Sequence, residues 1–386
     1  MRITLSVLFI ILLSVADIFL FRIGVLPAEP SLSILPFFFA LAFFNKKLVK
    51  NIKHIIGSVS LNYFFLLFVL SIIFSVNTGY ADVTTNIGLI FLSLLLYIVA
   101  YLFCVTYKEI DVKFIFLIAY AILGLSVIYE LIFSSYSLSR GAGFAENPNG
   151  TALRLVIMAV IILQYVKVRI NKILLLSSLM ILIVLTLSRS GMLMASFLLL
   201  INVVTNFNDS FKRISSQKIL KALVLLSLFF VSFITVANFL FHNVSAFQNR
   251  AAQERIGQIT GKEAIVSDSD YSSKGRITIF NDYLQKFIDN PIGYGTGASS
   301  DRSFYPKATH NMFLRLAIDF GAIGLIVFLL FLLVALRKSF RKNKLESVIF
   351  FMIIFIACFF TNTLFENRTF MIALAVIDFN RRNKLC

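Results

Sequence analysis

Three histidines serve 386 residues, and His310 stands in "ATHN" at the lip of a long apolar run, with Arg315 and Asp319 close behind. An imidazole titrates near neutrality, so it can take a proton from an attacking hydroxyl. The plainer reading is a residue that merely opens a helix. Arginines offer the complementary chemistry, because a guanidinium is a permanently charged planar fork that matches a phosphate with paired hydrogen bonds. Arg189 occupies the tight "LSRSG" turn, and Arg276 sits in "KGR" at the start of an amphipathic stretch. Each also has a bland reading: Arg189 as an interfacial side chain snorkelling to lipid phosphates, Arg276 as a solvated loop charge. Secondary candidates are Arg140, then Asn149 and Arg154 in "GAGFAENPNGTALR", Asn311 beside His310, and Arg315 itself. Arg154 alternatively balances Glu146, and Arg315 pairs with Asp319 at i,i+4. His54 and His242 are poorer base candidates, one in a basic loop and the other at a helix end.

Two patterns invite chemistry without the context it needs. "DSD" at 268–270 has the look of a metal-holding acidic pair but stands in a Ser-rich linker, where such triplets are solvated turns. "GYGTG" at 293–297 resembles a phosphate-binding glycine run, with neither a strand before it nor a long helix directly after. Cys104 and Cys358 lie inside apolar runs and Cys386 is the last residue, so no disulfide framework is implied.

The elements that carry these residues belong to a membrane. The chain is 59% hydrophobic and only 14% charged, against roughly 45–50% and about 25% for soluble domains. Apolar runs of spanning quality begin near Ile3, Leu61, Thr85, Phe114, Thr151, Ile173, Met192, Ile219, Asn311 and Ser347, with weaker ones at Ser31–Phe44 and Thr369–Phe379. The first reads as an uncleaved helix. The stretch 173–207 is too long for one span and breaks only at "SRSG", so it is expected as a helical hairpin. The count is about twelve.

The net charge of +17 follows the same topology. With both termini cytoplasmic, inside segments hold 22 Lys and Arg, whereas the short outside loops hold 4, namely Arg22, Arg140, Arg189 and Arg368. That is the asymmetry of the positive-inside rule, so nucleic acid is excluded as the reason for the charge. The expected organisation is transmembrane helices over 1–241, one large periplasmic loop over 242–309 carrying amphipathic helices, and further spans over 310–386. In the loop, Ile277, Phe280, Leu284 and Phe287 recur at three- and four-residue spacing, as in a helix lying on a surface. Arg140, Asn149, Arg154, Arg189, Arg276, His310 and Arg315 all fall on the outer face.

The order "LTLSRSGMLMA", "GRITIFNDYLQKFIDNPIGYGTG", "THNMFLRLAIDFGAIGL" resembles the O-antigen ligase and polymerase family. The likeness is an Arg turn between two helices, a large loop with Arg, helix and "NPxxGYG", and a His-Asn pair opening a helix with Gly321, Gly324 and Leu325. "GFAENPNGTA" is similar to the "F-x-N-P-N" loop of many members, and the motifs together span residues 141–325. The resemblance implies a multi-pass glycosyltransferase of the bacterial inner membrane, working on its periplasmic face in surface-polysaccharide biosynthesis. Its donor would be a glycan on undecaprenyl diphosphate, and its acceptor lipid A-core for a ligase or a lipid-linked repeat unit for a polymerase. Carried over, Arg189 and Arg276 would bind the diphosphate and His310 would be the base, in an inverting transfer without metal or cofactor. No Trp is present, and Phe280 and Tyr283 would supply the aromatic neighbours common in the family.

A different class of function, a flippase moving lipid-linked sugars without chemistry, should carry polar groups deep in several helices. Here the spans are almost uncharged apart from Asp17 and Glu130, and the polar residues gather on one face. That pattern favours an enzyme over a flippase, and a structural scaffold would leave Arg189 and His310 without a purpose. Whether the enzyme is a ligase or a polymerase is open at this level.

Overall fold

The structure, a computed structural model, describes residues 2–26, 30–75, 83–107, 109–133, 141–145, 147–205 and 273–382, with scattered helical positions between 217 and 235. All regular structure among them is helical. In lipid a helix satisfies every backbone polar group within its own segment, which is why apolar runs of this kind take no other form unless they close a barrel. Five described helices are long and apolar enough to cross a membrane: α6 (Val83–Thr106), α7 (Glu109–Phe133), α8 (Pro148–Tyr165), α9 (Arg169–Thr186) and α12 (Met312–Arg341). Shorter apolar helices are α5 (Val59–Ile73), α10 (Arg189–Val204) and α13 (Leu345–Ala357). The described residues are thus all-helical, and the chain is a multi-pass membrane protein.

The N-terminal run is not the single straight helix expected. It forms α1 (Arg2–Ser14) and α2 (Ala16–Arg22), bent by 79°. Ser14 turns its hydroxyl back onto the Ile10 carbonyl at 2.8 Å, a bond that bends helices, and Val15 takes a left-handed φ of 60°. Two minor helices follow, α3 (Pro30–Phe43) and α4 (Lys46–Val49).

The chain divides into two compact units. The first comprises 1–44, 108–265 and 343–353. Its centre is α8, buried at almost every position from Thr151 to Leu163, as a helix apolar all round must be. Helices α7, α9 and α10 pack on it. The expected hairpin is present as α9 and α10, joined by Leu187 and Ser188. Its second arm is pressed close: a Cβ on Gly191 would lie 2.6 Å from that of Ala152 in α8.

The second unit comprises 45–107, 266–342 and 354–386. It contains α5, α6, α11 (Ser273–Asp289), α12 and α14 (Arg368–Arg382). Helix α14, weakest of the apolar runs, is nearly all buried and packs on α6. Its Asp378 accepts from Ser58 Oγ at 2.8 Å, Tyr97 Oη at 2.7 Å and Arg381 at 2.5 Å. Arg381 is buried on Asp378 and the Ala335 carbonyl.

Helix α11 packs on protein by a face other than the one its strongest periodicity marks. The face it buries is Ile279 and Tyr283, with Phe287 packed alongside, against Leu314 and Ile318 of α12. Ile277, Phe280 and Leu284, expected as one apolar face, remain exposed together with Ile288. The helix has two apolar stripes, and the periodicity of the stronger one hid the stripe that packs.

Candidate active site

In the first unit the candidate residues sit where two helices begin. Asn147 caps α8, its side chain accepting from the backbone N–H groups of Asn149 at 3.0 Å and Gly150 at 3.4 Å, with Pro148 in the first turn. Ser188 caps α10 by accepting from Gly191 N–H at 3.1 Å. The same hydroxyl donates to Asn149 Oδ1 at 2.8 Å and so ties the two helix starts together. Arg189, half-buried, is the first residue of α10. The Arg154 guanidinium folds back over the first turn of α8, where a Cβ on Gly150 would meet its Nη1 at 2.9 Å. Helix starts carry unpaired N–H groups and the positive end of the helix dipole, so two arginines here make a surface suited to an anion. The preceding loop is held from behind. Glu130 accepts from the Ala142 N–H at 2.7 Å and from the Gly143 N–H, and Gly141 N–H donates to the Leu185 carbonyl at 3.1 Å. Arg140 and Glu146 lie outside the described residues.

The second unit carries Arg276, His310, Asn311 and Arg315. His310 has a φ of 49°, a left-handed conformation that costs a non-glycine residue about 1–2 kcal/mol. Its neighbours hold it there. Thr309 Oγ1 donates to the Asn311 carbonyl at 2.9 Å and accepts the Asn311 N–H at 3.1 Å. Asn311 caps α12, its side chain accepting from Leu314 N–H at 3.1 Å. His310 is therefore neither in the helix nor in a free loop, but in a bracketed link whose imidazole stays exposed. Desolvation by the surrounding protein, and then the positive charge of Arg276, lower its pKa below the ordinary histidine value. At neutral pH that keeps the ring uncharged, the state a base requires.

Arg276 and His310 are brought into one frame by the small core that joins α11 to the first turns of α12. Tyr283, fully buried, completes it by donating to the Lys307 carbonyl at 2.7 Å, three residues before His310. Arg189 belongs to the first unit. Arg315 pairs with Asp319 at 3.9 Å, as the i,i+4 spacing suggested, and more closely with other groups. Its Nη1 donates to Glu366 Oε1 at 2.6 Å and the Asn362 carbonyl at 2.7 Å, and its Nη2 to Asn86 Oδ1 at 2.7 Å. Asp319 also accepts from the Ser299 N–H at 2.8 Å.

The glycine run "GYGTG" has a structural use. Helix α12 breaks at Gly321, whose φ is 63° and ψ −158°, and the run docks into the break. Tyr294 N–H donates to the Ile318 carbonyl at 2.7 Å, Gly295 N–H to that of Asp319 at 3.2 Å, and Ala322 N–H to that of Pro291 at 2.8 Å. A Cβ on Gly321 would fall 2.2 Å from the Ile292 carbonyl oxygen, so only glycine fits. The Tyr294 and Gly295 N–H groups, which a phosphate would need, are committed to helix carbonyls.

Residues 173–329 match the protein-family model described as O-antigen ligase. That likeness covers less than half of the chain. No curated protein matches the chain. The matched segment encloses Arg189, Arg276, His310, Asn311 and Arg315, while Asn149 and Arg154 lie before it. The match supports glycosyl transfer of O-antigen ligase or polymerase type, in surface-polysaccharide biosynthesis at a bacterial membrane. Among the described residues no three His, Cys, Asp or Glu side chains gather as a metal site would, and "DSD" lies outside them. Sequence reasoning missed Thr309, whose role needs the backbone turn to be visible, and Glu366 and Asn86, which lie 51 and 229 residues from Arg315.

Proposed function

We propose that the protein transfers a glycan from undecaprenyl diphosphate to a hydroxyl on the periplasmic side of the inner membrane, by a metal-independent, inverting reaction. His310 takes the proton of the acceptor hydroxyl as its oxygen attacks the anomeric carbon. The bond from that carbon to the diphosphate oxygen breaks, and the diphosphate leaves with the electron pair. Arg189 and Arg276 receive the charge that concentrates on it, which is the work a divalent metal does elsewhere. Arg154 and Asn149 support the first arginine from the start of α8. The acceptor is lipid A-core for a ligase or the next lipid-linked repeat unit for a polymerase. The twelve-span topology, with both termini cytoplasmic and 242–309 as the periplasmic loop, belongs to the same proposal.

One observation carries this reading: within the matched segment a histidine is held at φ 49° by its two neighbours, exposed, and kept neutral beside an arginine. Strain of this kind persists where surrounding structure over-determines it, and it concentrates at active sites. A donor–acceptor assay on the purified protein tests it. Arg189→Ala or Arg276→Ala should lower kcat/KM for the donor by about 100-fold, and full activity in either variant sinks the diphosphate assignment. The glycan gel of a deletion strain separates the acceptors. Loss of a polymerase leaves core capped by one repeat, and loss of a ligase leaves bare core with polymer on its lipid carrier.

A further inference from the structure

Helix α11 carries a face that neither the transfer mechanism nor the packing of the second unit uses. The helix is three-sided. Ile279, Tyr283 and Phe287 face the core shared with α12. Thr278, Asn281, Gln285 and Asp289 make a second side, polar and exposed. The third side is Ile277, Phe280, Leu284 and Ile288, and Ile292 follows just past the helix end. Ile277, Ile288 and Ile292 leave 61%, 60% and 73% of their surface uncovered. A helix between protein and water needs one apolar stripe. A second stripe marks a third medium, which is another protein or a membrane.

Two observations favour the membrane. The first is continuity with the spanning helix. The segment after α11 docks into the break in α12, where Ala322 N–H donates to the Pro291 carbonyl at 2.8 Å. From the next residue α12 presents Ile323, Ile326, Leu330 and Leu333, all exposed and at three- and four-residue spacing. Ile292 therefore stands where the outward apolar stripe of α12 begins. The second observation is depth. From Ile323 to Arg337, the first exposed charge on α12, is 14 residues, or about 21 Å of helix. A hydrocarbon core is about 30 Å thick, so acyl chains extend past the break toward the start of α12. There α12 is buried from Leu314 to Gly321, and α11 covers Leu314 and Ile318.

We propose that α11 is an interfacial helix whose Ile277, Phe280, Leu284 and Ile288 face is seated in the bilayer leaflet at the start of α12. Such a helix lies in the plane of the interface, its apolar side about 5–10 Å into the headgroup–acyl boundary and its polar side toward water. The seat fixes the height of Arg276, in the first turn of the same helix. Through the Tyr283 bond to the Lys307 carbonyl it also reaches the link that carries His310. The seat stands on the exposed face and does not rest on the transfer reading.

The chain has no Trp, so one introduced indole reports its own surroundings. Full-length Ile288→Trp in phosphatidylcholine nanodiscs is measured with brominated acyl chains and, separately, with aqueous iodide. The bromines should remove at least about half of its emission, since the seat places the indole at the acyl boundary, and iodide should remove little. Gln285→Trp, on the polar side, should show the reverse. Leu284→Trp repeats the test one turn back, should Ile288→Trp fail to assemble. Emission that iodide quenches and the bromines spare would overturn the seat. So would emission that neither quencher reaches, because the face would then be covered by protein, whether a second copy or another segment of this chain. The measurement needs no turnover, so its outcome is separate from that of any transfer assay.

Discussion

The turn that carries Arg189 and the turn that carries His310 are built from the same parts in a different order. Both place a non-glycine residue at positive φ just before a capped helix: Leu187 at 48° and His310 at 49°. Both caps are polar side chains, Ser188 on α10 and Asn311 on α12. At Ser188–Arg189 the left-handed residue is an apolar helix end, and the arginine follows the cap as an ordinary first-turn residue. At Thr309–Asn311 the left-handed residue is the histidine itself. The difference teaches which site tolerates movement. A long guanidinium reaches a charged ligand from the first turn of its helix, whereas a base must meet one proton within hydrogen-bond reach, and here the histidine itself takes the left-handed backbone.

That contrast can be broken at Thr309. Its two hydrogen bonds contribute about 1 kcal/mol each, against about 1–2 kcal/mol of left-handed strain, so they decide whether His310 stays in place. Thr309→Val should reduce kcat roughly tenfold, 1.4 kcal/mol being a factor of ten, with donor KM nearly unchanged; a wild-type kcat would mean the bracket is incidental. The arginine turn should respond more mildly. Ser188→Ala removes a cap worth about 1 kcal/mol and the tie to Asn149, so donor KM should rise about fivefold while kcat holds. A larger loss there than at Thr309 would reverse the comparison.

The smallest effect expected is on pH dependence. With its folded pKa below the ordinary value, His310 is neutral at pH 7, and activity falls only as acid protonates it at lower pH. Arg276→Gln removes one of the two causes of that depression, so the acid limb should move upward toward neutrality. Rate ratios between pH 6 and pH 8 measure this shift, and an unmoved limb would separate Arg276 from the histidine.

Much of the fold was legible because apolar length and turn residues are local. The break at "SRSG" and the long apolar helix that opens beside Asn311 could be read directly. What the residues could not announce was direction and distant partnership. The 79° bend at Val15 lies inside an unbroken apolar run. The packed stripe of α11 is Ile279 and Tyr283, because a helix with two apolar stripes does not say which one meets protein. Arg315 looked paired with Asp319 at helical spacing, yet Glu366 and Asn86 hold it more closely. Sequence spacing sees the same helix and nothing beyond it.

The central claim is that His310 acts as the base in glycan transfer, and chemical rescue tests it most directly. Purified His310→Ala, saturated with donor and acceptor, should transfer at least about 100-fold more slowly than wild type. Added imidazole should restore part of that rate in proportion to its uncharged form. A His310→Ala protein working within a few-fold of the wild-type rate would contradict the account.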